Sequence, residues 1–175
     1  MNITVTRAAN EGNDRAILRN MFLDFYTTLS VYDPNLVINA NGLPTWEPAG
    51  VKESETDEGW WRINWWVRDQ CTNYVFRVDG VPAGFAMVVT EGEPLPEGVD
   101  YELLAFHITP KFRRKGVGRI AAREVFDRHR GIWAVFELEE NLPARRFWEE
   151  VIGEYTHNNY EMLDGGTQQR FDNRE

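Results

Sequence analysis

The sequence predicts an α/β (α+β) protein, a single domain over residues 1–175 with one mixed, mostly antiparallel sheet flanked by helices. Three observations carry this. Strand-like and helix-like runs follow one another in the order β-α-(α)-β-β-β-α-β-α-β-β. Asp79-Gly80 stands between two apolar runs, Tyr74–Val78 and Val81–Val89, and Asp-Gly in that setting is a strong hairpin signal. The run Tyr101–Ile108 ends at Pro110, and a basic loop with two glycines leads from there into a helical pattern beginning at Val117.

Ile3, Val5 and Arg7 alternate with threonines as a first strand. Asn13 or Asp14 can cap the helix that follows, whose apolar face is Ile17, Leu18, Met21, Phe22, Phe25 and Leu29. From Ser30 to Gly59 prolines and glycines interrupt every pattern, and a long loop is expected. Gly59–Arg68 reads as a second helix with four tryptophans, including Trp61 and Trp65 on one face. Core packing accounts for such a stripe. Aromatics beyond one stripe also suit a substrate cleft or a homodimer contact. Further on, a helix from Arg119 to His129 stops at Gly131, and Ile132–Leu138 is an apolar strand. Pro143 opens a helix expected to run from Ala144 to Val151. Short strands around Tyr155–Leu163 and Thr167–Phe171 close the chain.

The formal charge of −9 argues against nucleic acid as a partner, since phosphate backbones need a cationic surface. No apolar run reaches the roughly 18 residues of a membrane helix, and the N-terminus lacks a signal-peptide pattern. Cys71 is the single cysteine, so neither an intramolecular disulfide nor a cysteine metal site can form, and the three histidines have no metal spacing. These features point by default to a cytoplasmic protein without a metal. Cations concentrate from Lys111 to Arg130, whereas acids collect at Glu53–Glu58 and Glu91–Glu102. A basic site within an acidic protein suits a polyphosphate ligand and a cationic second substrate. Acidic runs also serve simply as solvated loops.

Strand, basic glycine loop and helix together form an anion site, because amides at a helix N-terminus lack partners and carry partial positive charge. Arg113, Arg114 and Lys115 add full charges, and Gly116 and Gly118 let the backbone approach a ligand. Gly116-Val117-Gly118-Arg119-Ile120-Ala121 satisfies the dinucleotide pattern G-x-G-x-x-A, with Glu137 about 20 residues on where a ribose-binding acid is sought. Seven residues, Thr109 to Lys115, separate that motif from its strand, and too little chain remains for a Rossmann domain. A P-loop lacks its Gly-Lys-Ser/Thr.

Arg113-x-x-Gly116-x-Gly118 behind Phe106-His107-Ile108-Thr109-Pro110 resembles the acyl-CoA signature of the GNAT N-acetyltransferase superfamily. Asn141-x-x-Ala144-x-x-Phe147-Trp148 resembles that family's second CoA motif, and the element order matches from Ile3 to about Phe171. The resemblance implies the GNAT fold and direct transfer from acetyl-CoA to a primary amine of a cationic small molecule or peptide. It implies a CoA site formed by Phe106, His107, Ile108, Arg113, Arg114, Lys115, Gly116, Val117, Gly118, Arg119, Asn141, Ala144, Phe147 and Trp148. The pyrophosphate would lie on the Lys115–Gly118 amides and Arg113, the pantetheine along the Phe106–Ile108 edge and Asn141, and the acetyl carbonyl at the Ile108 amide.

An ammonium acceptor must lose a proton before it attacks, so a general base is required. Strand alternation puts Glu102, Leu104, Phe106 and Ile108 on one face, His107 on the other, and makes Glu102 the candidate. A solvated Glu102 at the strand's start is the competing account. Trp148 stands where many relatives have a tyrosine acid, and an indole is no practical acid. Tyr155, Tyr160, His107 or water would then protonate the leaving thiolate. Tyr32, Trp61 and Trp65 are the candidate acceptor contacts. Two other classes stay open: a non-catalytic acyl-CoA-binding sensor, and a nicotinamide-binding protein.

Overall fold

A computed structural model describes residues 1–9, 11–46, 71–91 and 95–174. The expected tryptophan helix, with Trp61 and Trp65, lies outside them. The elements are β1 (Ile3–Arg7), α1 (Gly12–Leu29), β2 (Leu36–Ile38), β3 (Pro44–Trp46), β4 (Cys71–Val78), β5 (Val81–Val89), β6 (Tyr101–Ile108), α2 (Val117–Asp127), β7 (Ile132–Phe136), α3 (Leu142–Tyr155), β8 (Glu161–Leu163) and β9 (Gln168–Asp172). Seven strands form one sheet in the order β1-β4-β5-β6-β7-β9-β8, antiparallel throughout except for β6 beside β7. No helix among the described residues is long and apolar enough to cross a membrane.

The Asp79-Gly80 turn forms as the sequence requires: both residues take positive φ, 49° and 82°, which matches the right-handed twist of its strands. Inside the expected loop after α1 lies a small hairpin, β2 with β3. Neither Asn13 nor Asp14 caps α1. Its N-cap is Glu11, without a side-chain bond, and Asp14 instead receives Ala9 N at 3.2 Å and the Arg77 guanidinium at 2.9 Å. Helix α3 runs past Val151 to Tyr155 because Gly153 does not stop it. A Cβ there would come within 3.0 Å of Asn158 Oδ1, so this glycine serves a close approach.

Each sheet face buries its own core. Leu18, Met21 and Phe22 of α1 pack on Val75, Phe85, Met87 and Ala105. On the opposite face Ala121, Val125 and Phe126 of α2 and Trp148, Val151 and Ile152 of α3 pack on Phe76, Leu103, Trp133 and Phe171.

Candidate active site

Strand β6 organises the site. Against β5, Met87 opposes Ala105 but Val88 opposes Leu103, so Leu104 is an extra residue, a β-bulge. A bulge bends its strand and increases the local twist. On the other side β6 pairs with β7 for only three residues, Tyr101, Glu102 and Leu103. Pairing stops where the bulge begins, and the strands fork.

The bulge also shifts the side-chain alternation, which corrects one expectation. Leu103, Phe106 and Ile108 pack towards α2 and α3, whereas Ala105 packs towards α1 and His107 reaches Asp24 of that helix. Glu102, next to Leu103, therefore shares the α1 face with His107 and not with Phe106 and Ile108. Its partners in register are Val89 and, one strand further, Cys71. Burial raises the Glu102 pKa, and the Glu102 charge adds to the burial that pushes the Cys71 thiol up to about 12.

The backbone fixes what the fork presents. Thr109 N donates to Ala83 O at 2.9 Å, so the peptide groups of Thr109 and His107 point to β5 and those of Ile108 and Phe106 point into the fork. The Ile108 carbonyl accepts Arg113 Nε there at 2.7 Å. The Ile108 N–H and the Phe106 peptide groups lie past the pairing with β7, and edge groups of this kind can take an extended ligand as if it were another strand.

At the fork's mouth α2 begins. Its N-cap, Gly116, has φ +78° and open space around it, and no side chain caps the helix. Gly116 is thus required for backbone conformation, since a Cβ makes the left-handed region costly. Gly118 serves a close approach instead: a Cβ would stand 3.2 Å from the Phe147 ring and 3.5 Å from Ile108 Cγ1. This packing sets the glycine loop beside the edge of β6.

The basic cluster divides in two. Arg119 is bonded to Glu150 and Glu154, Arg123 to Glu154, Arg128 to Glu124 and Arg130 to Asp127. Arg119, expected at the CoA site, is therefore turned to the acids of α3. Arg114 and Lys115 are exposed and form no ion pair among the described residues. They and the uncapped amides supply the positive end of the fork.

Asn141 caps α3, its side-chain oxygen accepting Ala144 N at 3.2 Å. Phe147 stacks near Phe106 with ring centroids 6.0 Å apart. Trp148 is only 5% exposed and packs edge-on to Phe106 and Phe147, as a core residue. Tyr155 and Tyr160 lie at the far end of α3, roughly 20 Å along the helix from Asn141. Tyr155 donates to Asp127 at 2.9 Å, and Tyr160 lies against Gly153. Both are removed from the fork, and burial raises both pKa values. Tyr32 is half-buried in the turn after α1.

Glu137 does not suit the ribose contact of a dinucleotide site. Its carboxylate oxygens are buried, and burial pushes its pKa up to about 8 although Gln169 and Arg145 act the other way, so it is a poor anionic acceptor for a sugar hydroxyl. The single parallel strand pair likewise departs from a Rossmann sheet. Among the described residues no cluster of His, Cys, Asp and Glu could hold a metal ion.

A model of the acetyltransferase (GNAT) family matches residues 39–153. Among solved structures, the chain resembles a histone acetyltransferase HPA2 and related acetyltransferase from Corynebacterium glutamicum, with a TM-score of 0.62 and 12% identity over 97% of this chain and 94% of that one. It also resembles the PaiA N-acetyltransferase of Thermoplasma acidophilum in complex with coenzyme A, with a TM-score of 0.56 and 12% identity over 99% and 100% of the two chains. A third likeness is to AAC(6')-Iy in complex with a bisubstrate analog, CoA-S-monomethyl-acetylneamine, with a TM-score of 0.52 and 14% identity over 86% and 90%. No curated protein matches the sequence.

Proposed function

The chain belongs to the acetyltransferase (GNAT) family, and on that premise we propose that it transfers an acetyl group from acetyl-CoA directly to a primary amine of a cationic small molecule or peptide. The observation that carries this reading is the fork between β6 and β7, which opens beside an uncapped helix start and two unpaired cations. A CoA-like donor has the matching parts: a pyrophosphate for the Lys115–Gly118 amides, and an amide-bearing arm for the Phe106 and Ile108 edge. Asn141 and Phe147 would meet that arm from the opposite side. Ile108 lies next to the glycine loop and Phe106 two residues deeper, so the edge geometry favours the Phe106 amide over that of Ile108 for the acetyl carbonyl.

The acceptor would enter on the α1 face, where Asp24 and Glu102 favour a cation. Glu102 is the base that takes the ammonium proton, through water, and its burial supports a pKa suited to that role. Trp148, packed in the core where many members of the family resembled have a tyrosine, is the one observation that favours a non-catalytic acyl-CoA sensor instead.

Calorimetry with acetyl-CoA, followed by thiol release across a panel of amines, tests the reading. Micromolar binding with turnover on cationic amines is expected, and Glu102→Gln should lower kcat about 100-fold while CoA still binds. Binding without turnover on any amine would identify a sensor. Activity confined to anionic acceptors would overturn the acceptor class.

A further inference from the structure

His107 is 4% exposed and its ring sits near those of Phe25 and Phe85, at 6.0 and 6.1 Å between centroids. A buried imidazole needs a partner, and here Nε2 lies 2.7 Å from Asp24 Oδ2, whose side chain is 43% exposed. Nδ1 forms no hydrogen bond among the described residues. Burial lowers the His107 pKa below 6.5 despite Asp24, and the Arg113 charge acts in the same direction. The resting ring is therefore neutral. It gives its Nε2–H to Asp24 and keeps a lone pair on Nδ1.

Transfer to an amine involves two protons. The ammonium loses one to become a nucleophile, and the nitrogen of the adduct loses another as the sulfur departs. Glu102 suits the first only at a distance, since it stands four residues from Phe106, on the order of 13 Å along a strand. His107 adjoins Phe106, and its ring lies on the α1 face, by which the acceptor would enter. Tyr155 and Tyr160 lie at the far end of α3, and Trp148 fills the place at the fork where a tyrosine is expected.

We propose that His107, its ring held by Asp24, carries the second proton from the acceptor nitrogen to the departing sulfur. This rests on the acetyltransferase reading above. The amine lone pair forms the C–N bond while the carbonyl electrons move onto oxygen at the edge amide. As that oxygen's pair returns, the C–S bond breaks and its electrons stay on sulfur. Nδ1 takes the proton from nitrogen and delivers it to sulfur, so the products are an amide and a free thiol and the imidazole ends neutral. Asp24 stabilises the transient imidazolium and Arg113 opposes it; Glu102 lies further along the same face. A thiolate of pKa ~8.5 draws the proton from an imidazolium whose pKa burial lowers.

Methoxyamine, a nucleophile that stays neutral across the working pH range, isolates this step from the first. With acetyl-CoA as donor, His107→Gln should lose about 100-fold in kcat while CoA affinity by calorimetry stays within about threefold. Wild-type kcat should fall as acid protonates His107, at a pH below 6.5, and that limb should vanish in His107→Gln. Asp24→Asn leaves the core residue in place and should move the limb to lower pH, because the imidazolium loses its anion. Should His107→Gln misfold, Asp24→Asn decides alone. A kcat within about threefold of wild type, a limb unmoved by Asp24→Asn, or a parallel loss of CoA affinity overturns the proposal. Should methoxyamine not turn over, the same variants are compared on a cationic amine that does. Absence of thiol release by the wild-type protein on methoxyamine and on every cationic amine overturns it together with the acetyltransferase reading, whereas turnover indifferent to both variants overturns it alone.

Discussion

Helices α2 and α3 both follow a strand of the fork, yet their N-termini differ. At α3 the Asn141 side chain accepts Ala144 N, Pro143 removes a second donor, and Arg145 is bonded to the carbonyls of Gly166, Glu139 and Gly165. At α2 Gly116 has no side chain to offer, and Arg114 and Lys115 just before it are exposed. The backbone physics is the same in both. An anion site arises where the chain withholds its own cap and leaves its cations unpaired, and a helix start that closes itself is structural.

The strongest way to break this contrast is to give α2 a cap. Gly116→Asp supplies a carboxylate that competes for the free amides and repels a phosphate, besides straining a residue at φ +78°. Losing charge-assisted bonds worth about 3 kcal/mol should weaken CoA binding about 100-fold by calorimetry. A loss under about threefold would mean that the pyrophosphate binds elsewhere.

Much of the fold was legible because its signals are local. Asp79-Gly80 fixed one hairpin, and the Pro110-to-Val117 sequence announced the strand–loop–helix junction. The face of Glu102 was not legible. Leu104 carries no bulge signature, yet one inserted residue exchanges the faces of everything before it. The division of the basic cluster was hidden too, since Arg119 finds its acids 31 and 35 residues away, across a helix–helix contact that spacing alone does not reveal. Asp24 has the same history: only the packing of α1 on the sheet brings it to His107, 83 residues on.

The free cations before α2 contribute less than its uncapped amides. Replacing Arg114 and Lys115 together by Gln should cost about 1.4 kcal/mol, or tenfold, in CoA affinity, and should flatten its dependence on salt. Arg123→Gln is the paired control, because that guanidinium is already committed to Glu154 at 3.0 Å. Equal losses in the two variants would show that the overall charge of the helix, and not the unpaired cations at its start, attracts the donor.

The smallest effect lies at the closed end. Asn141→Ala removes the cap of α3 and should cost about 1 kcal/mol of stability, or a Tm roughly 2–4 °C lower in a chain of this length. Asn141→Asp keeps an acceptor oxygen for Ala144 N and should recover the Tm. It lacks the carboxamide N–H₂, so it should not recover CoA affinity if that group holds the pantetheine arm. Recovery of both by Asp would leave Asn141 a helix cap and nothing more. Recovery of stability alone would assign its two polar atoms to different tasks, the oxygen to the helix and the nitrogen to the donor.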